Sequence, residues 1–445
     1  MPQRLVIVGG DAGGMAAVSQ VRANDNAIEI VALEKGRWTS YSACGIPYVL
    51  AGEVDDIETL VARRPHEFLD RHGVDVRMQH EATAFDLDER AVEVRDHGDD
   101  RTYRLPFDHL LIATGAAAQR PAVQGGDLPF VHDVRTLDHA VALQPVAAAS
   151  KGTSVVIVGG GYLGIELAEA MVQQGASVAL VHRNDEVMKS LDPDLGAVVS
   201  KTMREAGVDM FTGAEVTGIE PGTVHTSSGL VPADLVLLAA GVKPNSALAE
   251  AAGLTLGAAG AIWVDRCQRT STEGVWSAGD CSATVHRVSG QPTWVALGTH
   301  ANKQSRVAGI NIGGGYATFP GVLGTAITRF GELEISRTGL NQAEAAEAGF
   351  EATATTIEST TKAGYYPGAQ PMTVRAVVER GSGRLLGAQI VGGTGSAKRI
   401  DTCAVAITAR MTVNEIVNLD LAYAPPFAGV WDPVLLAARA ALKAG

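Results

Sequence analysis

Cys44 is the residue of this chain best suited to redox chemistry. It lies in the stretch SYSACGIPY, residues 40–48, after the polar side chains of Ser40 and Ser42 and before a turn that leads to Pro47. Proline at an early helical position predicts that a helix starts just after the cysteine, and a helix N-terminus lowers the pKa of a thiol. The plainer interpretation is a buried, inert cysteine, which is the commoner fate of this residue.

The other three cysteines, Cys267, Cys281 and Cys403, are predicted to be buried and inert. They are widely spaced, so neither a dithiol pair, nor a disulfide framework, nor a metal-ligand pair is predicted. No metal is expected. The sequence alone leaves open what a single thiol would exchange electrons with.

Two glycine-rich turns, each between a strand and a helix, predict two dinucleotide-binding units. The second, IVGGGYLGIELAE, places Gly159, Gly161 and Gly164 in the G-x-G-x-x-G pattern that holds a pyrophosphate at a helix N-terminus. Where an acidic residue would bind the ribose 2′-hydroxyl of NAD, the chain has His182 and Arg183. A cation suits a 2′-phosphate, so NADPH is predicted as the preferred donor, with NADH as the alternative and a plain surface arginine as the simplest explanation.

The first turn, IVGGDAGGMAA, is imperfect, because Asp11 stands where the middle glycine is expected between Gly9 and Gly14. A carboxylate beside a pyrophosphate is unfavourable unless it points away, so the backbone is expected to make the contact. Glu34, at the end of the following strand, supports the assignment because it lies where an adenosine ribose would bind.

Three further segments follow apolar strands and end in small residues that permit close approach of a ligand. The candidate cofactor-binding residues are Thr114 and Gly115 in HLLIATGA, Gly241 in DLVLLAAGVKPN, Gly279 and Asp280 in SAGDCS, and Lys35 beside Glu34. Asp280 is expected to cap a helix, to accept a hydrogen bond from a ribityl hydroxyl of FAD, or to do both.

Length and composition limit the class of protein. With 445 residues, 46% of them apolar and 19% charged, the chain is expected to form two or three globular domains. The formal charge of −13 disfavours nucleic acid as a partner, since that affinity needs clustered Lys and Arg. No run of about 18 apolar residues occurs, so a membrane is not expected as a partner. The start MPQRLVIVGG is unlike a secretion signal, so a cytoplasmic location is expected.

The pattern of predicted strands and helices changes past about residue 320. Strands such as MTVRAVVER and LLGAQIVGG surround helices such as NQAEAAEAGF, and no nucleotide-binding turn occurs there. The fold class predicted is therefore α/β, with two doubly wound, Rossmann-like nucleotide-binding domains followed by a separate α+β domain.

The chain resembles, over nearly its whole length, the flavin-dependent pyridine nucleotide–disulfide oxidoreductases of the single-cysteine branch, and within it the coenzyme A disulfide reductases. The specific matches are the lone cysteine followed by GIPY, together with AGYYPGAQP and AYAPPF, whereas many flavoproteins share the glycine turns. The resemblance implies FAD on residues 1–118 and 246–320, NADPH on residues 119–245, and a C-terminal dimerisation domain, residues 321–445, that builds a homodimer.

The same resemblance implies roles for individual residues. Tyr423 and one of Tyr365 and Tyr366 would reach Cys44 of the other subunit. Cys44 would pair with a thiol of the substrate, and the resting enzyme would carry coenzyme A covalently on that sulfur. The residues implied near the coenzyme A substrate are Arg22, Ser40, Ser42, Arg71 and His72, of which His72 stands where relatives carry a lysine. Asp11 and Ala43 depart from the family pattern.

The predicted activity is NAD(P)H-dependent reduction of coenzyme A disulfide, or of a related low-molecular-weight disulfide, through FAD and Cys44. Two alternatives keep the flavin: an NAD(P)H oxidase in which Cys44 cycles through a sulfenic acid, and a persulfide or polysulfide reductase. The tyrosine motifs favour disulfide reduction over the oxidase, and the lack of a rhodanese-like extension after residue 445 weakens the persulfide alternative. A third hypothesis is an electron-transfer flavoprotein with a protein partner, in which Cys44 is structural.

Overall fold

The computed structural model describes residues 2–444. Its main layers are two parallel five-stranded sheets and one antiparallel five-stranded sheet. Helices and small antiparallel sheets cover the parallel sheets, as expected for doubly wound units. This architecture confirms the predicted α/β fold class.

The first parallel sheet has helices on one face and a small sheet on the other. Its strands are β1 (Arg4–Val8), β2 (Glu29–Glu34), β3 (Val74–Met78), β7 (His109–Ile112) and β18 (Val275–Ser277), in the spatial order β18-β7-β1-β2-β3. Leu5 and Ile7 of β1 pack against α1 (Ala12–Asn24) and α8 (Gly298–Ile312). Val6 and Val8 pack against the sheet of β4 (His80–Asp86), β5 (Ala91–Asp96) and β6 (Arg101–Pro106). Because both faces are covered, β1 is apolar and buried from Leu5 to Val8.

The second parallel sheet repeats this design. Its strands are β9 (Val131–Asp133), β10 (Ser154–Val158), β11 (Ser177–His182), β12 (Asp209–Thr212) and β16 (Leu235–Leu238), in the order β12-β11-β10-β16-β9. On one side lie α4 (Leu137–Ala148), α5 (Tyr162–Gln173) and α6 (Pro193–Glu205), and on the other β13 (Val216–Glu220), β14 (Gly222–Thr226) and β15 (Gly229–Ala233). The repeat of the βαβ unit seen in the sequence is therefore a repeat of structure.

The C-terminal sheet is antiparallel. Its strands are β21 (Ala326–Phe330), β22 (Leu333–Gly339), β23 (Ala352–Thr360), β24 (Pro371–Glu379) and β25 (Leu385–Gly392), in the order β21-β22-β25-β24-β23. The helices of this region are α9 (Gln342–Glu347), α10 (Ile400–Thr408), α11 (Val413–Val417) and α12 (Pro433–Ala444). Residues of α10, α11 and α12 share one apolar cluster with β24 and β25.

Short elements connect these layers. They are α2 (Ile46–Ala51), α3 (Pro65–His72) and α7 (Ala247–Ala251), the pair β8 (Ala116–Ala118) with β17 (Val242–Pro244), and the hairpin β19 (Thr284–Val285) with β20 (Pro292–Thr293). The division at residues 118, 245 and 320 stays a prediction about domain boundaries. Within residues 2–444, no helix combines the length and the apolar character needed to cross a membrane.

A buried ion pair joins the second parallel unit to the C-terminal sheet. Arg375 Nη1 of β24 lies 3.0 Å from Asp192 Oδ2, and Arg375 Nη2 lies 2.5 Å from Asp194 Oδ2. Gln389 Nε2 of β25 donates a hydrogen bond of 2.8 Å to the same Asp192 oxygen. Asp192 is only 6% exposed, so its charge depends on these partners.

We expect Arg375→Ala to lower the free energy of unfolding by about 3–5 kcal/mol, because Asp192 would stay buried without its cationic partner. Chemical denaturation of the flavin-loaded protein measures this loss. Arg104→Ala is the matched control, since the Arg104–Asp86 pair is half exposed and should be worth less than about 1 kcal/mol. A loss for Arg375→Ala no larger than that of the control would contradict the assignment.

Candidate active site

The N-terminus of α1 is shaped to accept a pyrophosphate. Gly9 has φ +119°, and a Cβ there would lie 2.1 Å from the carbonyl oxygen of Ala113. A Cβ on Gly14 would lie 2.0 Å from the carbonyl oxygen of Gly9. Strand and helix are therefore too close for any side chain, which brings the first N–H groups of α1 to the carboxyl edge of the sheet.

The second glycine loop has the same geometry at the start of α5. Gly159 has φ +116°, and a Cβ on Gly164 would lie 1.9 Å from the carbonyl oxygen of Gly159. Gly161 precedes the helix, has no atom within 4 Å of its Cβ position, and leaves the helix without a side-chain cap. The free space and the uncapped N–H groups fit a dinucleotide pyrophosphate.

The residues that end β2 and β11 occupy matching positions but differ in chemistry. Glu34 Oε2 accepts a hydrogen bond of 2.8 Å from Gly10 N, whereas His182 Nδ1 accepts one of 3.1 Å from Gly160 N. Burial, and then the charge of Arg183, lower the pKa of His182, so its imidazole is neutral near pH 7. The first unit thus presents a carboxylate to a ribose, and the second a neutral imidazole followed by an exposed arginine. Lys35, beside Glu34, is also exposed.

Asp11 turns away from the helix that it precedes. Its carboxylate does not cap α1 but accepts a hydrogen bond of 3.0 Å from Tyr41 N. Burial raises the pKa of Asp11 to about 6, and the charges of Glu34 and Asp280 act in the same direction. This orientation leaves the first N–H groups of α1 without a capping hydrogen bond to the carboxylate.

The first glycine loop also holds the segment that carries Cys44. Ser40 N donates a hydrogen bond of 2.9 Å to the carbonyl oxygen of Gly10, and the hydroxyl of Thr39 donates to the same oxygen. Cys44 follows in a turn of 3₁₀ helix, Ala43–Gly45, and α2 begins directly after it. The predicted helix start is present, and Cys44 is exposed.

The expectation of a lowered pKa at Cys44 is wrong for the subunit described. Burial of the sulfur, and then the charge of Glu166, raise the pKa of Cys44, while Arg135 lowers it. Helix α2 has only six residues, so its dipole is small beside these nearby charges. The thiolate therefore needs a cationic or hydrogen-bond-donating partner.

Two charged residues near Cys44 escaped the analysis of the sequence. Arg135 Nη2 lies 2.6 Å from Asp280 Oδ2, and no local motif marks it. Glu166 Oε1 accepts a hydrogen bond of 3.0 Å from the hydroxyl of Thr328, and burial raises the pKa of Glu166 to about 7. The available signal was the pair of glutamates, Glu166 and Glu169, in the otherwise apolar stretch IELAEAM.

Asp280 does not cap a helix. The next element is β19, so the capping interpretation is wrong, and the carboxylate instead pairs with Arg135. Gly279 (φ +84°) precedes it, and Gly115 (φ +71°) and Gly241 (φ +112°) also adopt conformations that favour glycine. The Thr114 hydroxyl is engaged within the chain, where it donates to the carbonyl oxygen of Asn245 at 2.6 Å.

Of the other cysteines, Cys281 and Cys403 are buried as predicted. Cys267 is only half-buried, because it lies in a surface turn in which its N–H donates to the carboxylate of Asp265 at 2.8 Å. In the part of the chain that the structure describes, no group of three or more His, Cys, Asp or Glu side chains could hold a metal ion.

The candidate substrate residues Arg22, Arg71 and His72 are brought together. Arg22 donates hydrogen bonds of 2.5 Å to the carbonyl oxygens of His72 and Ile28, so much of its guanidinium is engaged. Burial, and then the charges of Arg63, Arg22 and Arg71, lower the pKa of His72. We call Arg22, Arg63, Arg71 and His72 the basic cluster. Arg63 is a member that the sequence did not reveal.

The C-terminal tyrosines form an exposed pair. Tyr365 lies close enough to Tyr423 for the two hydroxyls to interact, which raises the pKa of Tyr365, and the two residues are 77% and 45% exposed. Tyr366 is half-buried with Lys362 Nζ 5.8 Å from its ring centre, so Tyr365 is the partner of Tyr423. Phe427 is also exposed beside this segment. Such an aromatic surface is typical of an interface.

Comparisons with known proteins agree with this geometry. The family described as "Pyridine nucleotide-disulphide oxidoreductase" matches residues 3–316, and its dimerisation domain matches residues 325–433. The "NAD(P)H sulfur oxidoreductase (CoA-dependent)" of Pyrococcus furiosus is 38% identical over 442 residues, which cover 98% of each chain. The coenzyme A disulfide reductase of Staphylococcus epidermidis is 27% identical over 435 residues, which cover 97% of this chain and 98% of the relative.

A solved structure extends the similarity to the fold. The NAD-dependent persulfide reductase from A. fulgidus superimposes with a TM-score of 0.95 at 36% sequence identity, over 99% of this chain and 83% of that chain. The glycine loops, Glu34 and Asp280 are therefore candidates to hold the FAD and NAD(P)H that the family implies.

We expect Asp11→Asn to strengthen FAD binding above pH 6 and to leave it unchanged below. Asp11 is neutral below its pKa of about 6 and anionic above it, where it repels the pyrophosphate. The FAD dissociation constant of the parent should rise between pH 5.5 and pH 8, and the variant should stay about tenfold tighter at pH 8. Flavin fluorescence measures both curves, and the exposed Asp127→Asn is the control. Parallel curves for parent and Asp11→Asn would refute this role.

Proposed function

Because this chain belongs to the pyridine nucleotide-disulphide oxidoreductase family, we propose that it reduces sulfur–sulfur bonds of coenzyme A-linked, low-molecular-weight acceptors at Cys44. The observation that carries the proposal is a single cysteine, exposed as a residue but with a partly buried sulfur, that the first glycine loop holds near Arg135 and Asp280. Coenzyme A disulfide is the substrate we favour.

FAD would be held by the first glycine loop, Glu34 and Asp280, and NAD(P)H by the second glycine loop. The bound flavin supplies two electrons, which it takes from NAD(P)H. The protein contributes the position of the thiol: Ser40 and Thr39 tie the cysteine segment to Gly10, within the loop that would bind the flavin pyrophosphate.

The chemistry of Cys44 follows from thiol–disulfide exchange. Its thiolate attacks one sulfur of R–S–S–R, the Cys44–S–S–R bond forms, and R–S⁻ leaves and takes a proton. Two electrons then cleave the mixed disulfide and return the Cys44 thiolate with a second R–S⁻. One NAD(P)H and one proton are consumed for each disulfide, and two thiols are released.

Charged and polar groups around the sulfur determine which atoms carry protons during the reaction. Arg135 stabilises the thiolate, whereas Glu166 opposes it when ionised. Glu166 has a pKa of about 7, so it can hold a proton near neutral pH. Tyr423 carries a hydroxyl that could donate a hydrogen bond to the departing sulfur in a dimer.

A homodimer would complete this site. The chain contains the family's dimerisation domain, and the Tyr365–Tyr423 pair is exposed on it. In the proposed dimer these hydroxyls face Cys44 of the other subunit and supply the donors that the thiolate lacks within one subunit. The resting state with coenzyme A attached to Cys44 belongs to the same proposal.

The basic cluster supports coenzyme A as the acceptor. Coenzyme A carries several phosphate charges, and the guanidinium groups of Arg22, Arg63 and Arg71 lie close enough to His72 to lower its pKa. In a chain with a formal charge of −13, such a cluster is a local exception that suits an anionic substrate.

A second candidate activity is reduction of coenzyme A persulfide or polysulfide. The match to the P. furiosus relative, which is named a CoA-dependent NAD(P)H sulfur oxidoreductase, covers 98% of that relative's length. This similarity supports the second candidate. Here the Cys44 thiolate would displace HS⁻ from CoA–S–SH and form the same Cys44–S–S–CoA bond. Sulfide release then replaces release of the first thiol.

NADPH is the donor we favour, on the observation that β11 ends in a neutral His182 and an exposed Arg183 in place of a carboxylate. A ribose 2′-phosphate would find a cation there and no negative charge at the strand end.

We expect Cys44→Ser to keep FAD and NADPH-dependent flavin bleaching but to lose disulfide-dependent NADPH oxidation by more than about 100-fold, because serine is a far weaker nucleophile. Thiol release from coenzyme A disulfide, sulfide release from a CoA persulfide, and oxygen uptake without acceptor are followed in parallel. Cys267→Ser is the control and should behave as the parent.

The same set of assays separates the hypotheses. Oxygen uptake that exceeds thiol and sulfide release would indicate an oxidase. Full turnover of disulfide by Cys44→Ser would refute the proposal and favour an electron-transfer flavoprotein. Intact mass without reductant tests the resting state: a dithiothreitol-sensitive adduct of the mass of coenzyme A is expected on the parent and not on Cys44→Ser.

We expect Arg183→Ala to lower the ratio of kcat/KM for NADPH to that for NADH by about tenfold or more, through KM, since a charge-assisted contact to phosphate is worth about 1.5–3 kcal/mol. Steady-state kinetics with both donors measures the ratio. Arg204→Ala on α6 of the same unit is the matched control. An unchanged ratio would show that Arg183 does not read the 2′-phosphate.

A further inference from the structure

A cleft lies between the first parallel unit and the C-terminal domain. One wall is formed by residues 264–268 and the β19–β20 hairpin, and the other by the start of β25 and the end of α10. Its volume is about 370 Å³, within the range of small-molecule sites. We call it the arginine cleft.

Four arginines line this cleft: Arg266, Arg287, Arg384 and Arg410. Of these, only Arg384 has an ion-pair partner within residues 2–444, namely Glu379 at 3.6 Å. Arg287 Nη1 donates to the hydroxyl of Thr408 across the cleft at 3.3 Å, which leaves the rest of its guanidinium available. So many unpaired cations in a chain of charge −13 point to an anionic ligand.

The acidic and titratable groups of the cleft do not cancel this charge. Asp265 is the one acidic residue in its lining, and a single carboxylate oxygen accepts the N–H groups of Cys267 and Arg269 at 2.8 and 2.9 Å. His286 is half-buried, and its Nε2 donates a hydrogen bond to the carbonyl oxygen of Leu323 at 3.4 Å. The cleft is positive with His286 neutral, and more so with it protonated.

An unpartnered amide gives a second and independent sign of a ligand. Gln268 lines the cleft and is only 2% exposed, yet its Oε1 has no hydrogen-bond partner within residues 2–444. Buried polar atoms of folded proteins are usually hydrogen-bonded, so this amide oxygen marks a position that lacks a donor. A ligand hydroxyl or amine would satisfy it.

The arginine cleft is separate from the Cys44 site. Strand β25 begins at Leu385, which lines the cleft, and ends at Gly392, which pairs with Met372 at the end of the sheet that carries the tyrosine segment. Seven residues of strand span about 23 Å. The lining of the cleft also lacks Cys44, Arg135, Glu166 and Asp280, so its residues are distinct from those around Cys44.

We propose that the arginine cleft binds a small phosphorylated molecule that also carries hydroxyl or amine groups. Its phosphate groups contact Arg266, Arg287 and Arg410, and a hydroxyl or amine donates to Gln268. The ligand bridges the flavin-binding unit and the C-terminal domain, because its partners come from both.

The test uses the flavin-loaded enzyme with saturating NADP⁺ and coenzyme A. These ligands fill the proposed dinucleotide site and the proposed coenzyme A site. Fructose 1,6-bisphosphate is the probe with phosphates and hydroxyls, and inorganic pyrophosphate is the probe without carbon-bound hydroxyls. Isothermal titration calorimetry should show saturable binding of both. Arg266→Ala and Arg410→Ala, at exposed positions where folding is not at risk, should each weaken both probes about tenfold.

Gln268→Leu provides the specific readout. It should weaken the bisphosphate several-fold and leave pyrophosphate unchanged, whereas a general loss of structure would weaken both. Arg204→Ala, on a distant helix, should alter neither. Absence of saturable binding of both probes up to about 10 mM, or binding that ignores the Arg266 and Arg410 substitutions, would overturn the proposal. No turnover is measured, so failure here leaves the chemistry at Cys44 untouched.

Discussion

The site depends on the backbone of one residue, Gly10. Its N–H is held by Glu34 at the end of β2, and its carbonyl oxygen accepts from Ser40 N and the Thr39 hydroxyl. The same few atoms thus fix the loop that would bind a pyrophosphate and the start of the segment that carries Cys44. In the proposed enzyme, a thiol placed in this way would be tied to the flavin-binding loop by backbone contacts and not by a flexible linker. The thiol of the substrate would then be the partner of Cys44 in place of a second cysteine.

The electrostatics of Cys44 run against what its position in the chain suggests. A helix start favours a thiolate, yet burial and the carboxylates of Glu166, Asp280 and Asp11 raise the pKa of the thiol, with Arg135 opposing them. A thiol that resists ionisation within one subunit gains from external donors or from being capped as a disulfide. The exposed Tyr365–Tyr423 pair offers such donors, and a mixed disulfide removes the charge altogether. Both routes make the proposed dimer and the proposed coenzyme A adduct physically sensible.

The sequence predicted what depends on local pattern and missed what depends on distant segments. Strand and glycine positions follow from apolar runs and from turns that only glycine permits, so both nucleotide units were found. Glu166 and Arg135 reach Cys44 from α5 and from the loop before α4, and no motif near the cysteine announces them. Asp280 was assigned to two roles, and the absence of a following helix removes one. The choice between Tyr365 and Tyr366 is made by the turn that buries one ring and exposes the other.

The two parallel units show how a repeated fold acquires different ligands. In both, the residue that ends the second strand accepts a hydrogen bond from the second glycine of the loop, Glu34 from Gly10 and His182 from Gly160. The hydrogen bond that shapes the loop is therefore kept, while the charge presented to the ribose changes from negative to neutral. Because an imidazole nitrogen can replace a carboxylate oxygen as the acceptor, the loop geometry does not constrain which dinucleotide is bound. In the proposed enzyme, specificity at the second unit would rest on Arg183, whose side chain makes no hydrogen bond or ion pair within residues 2–444.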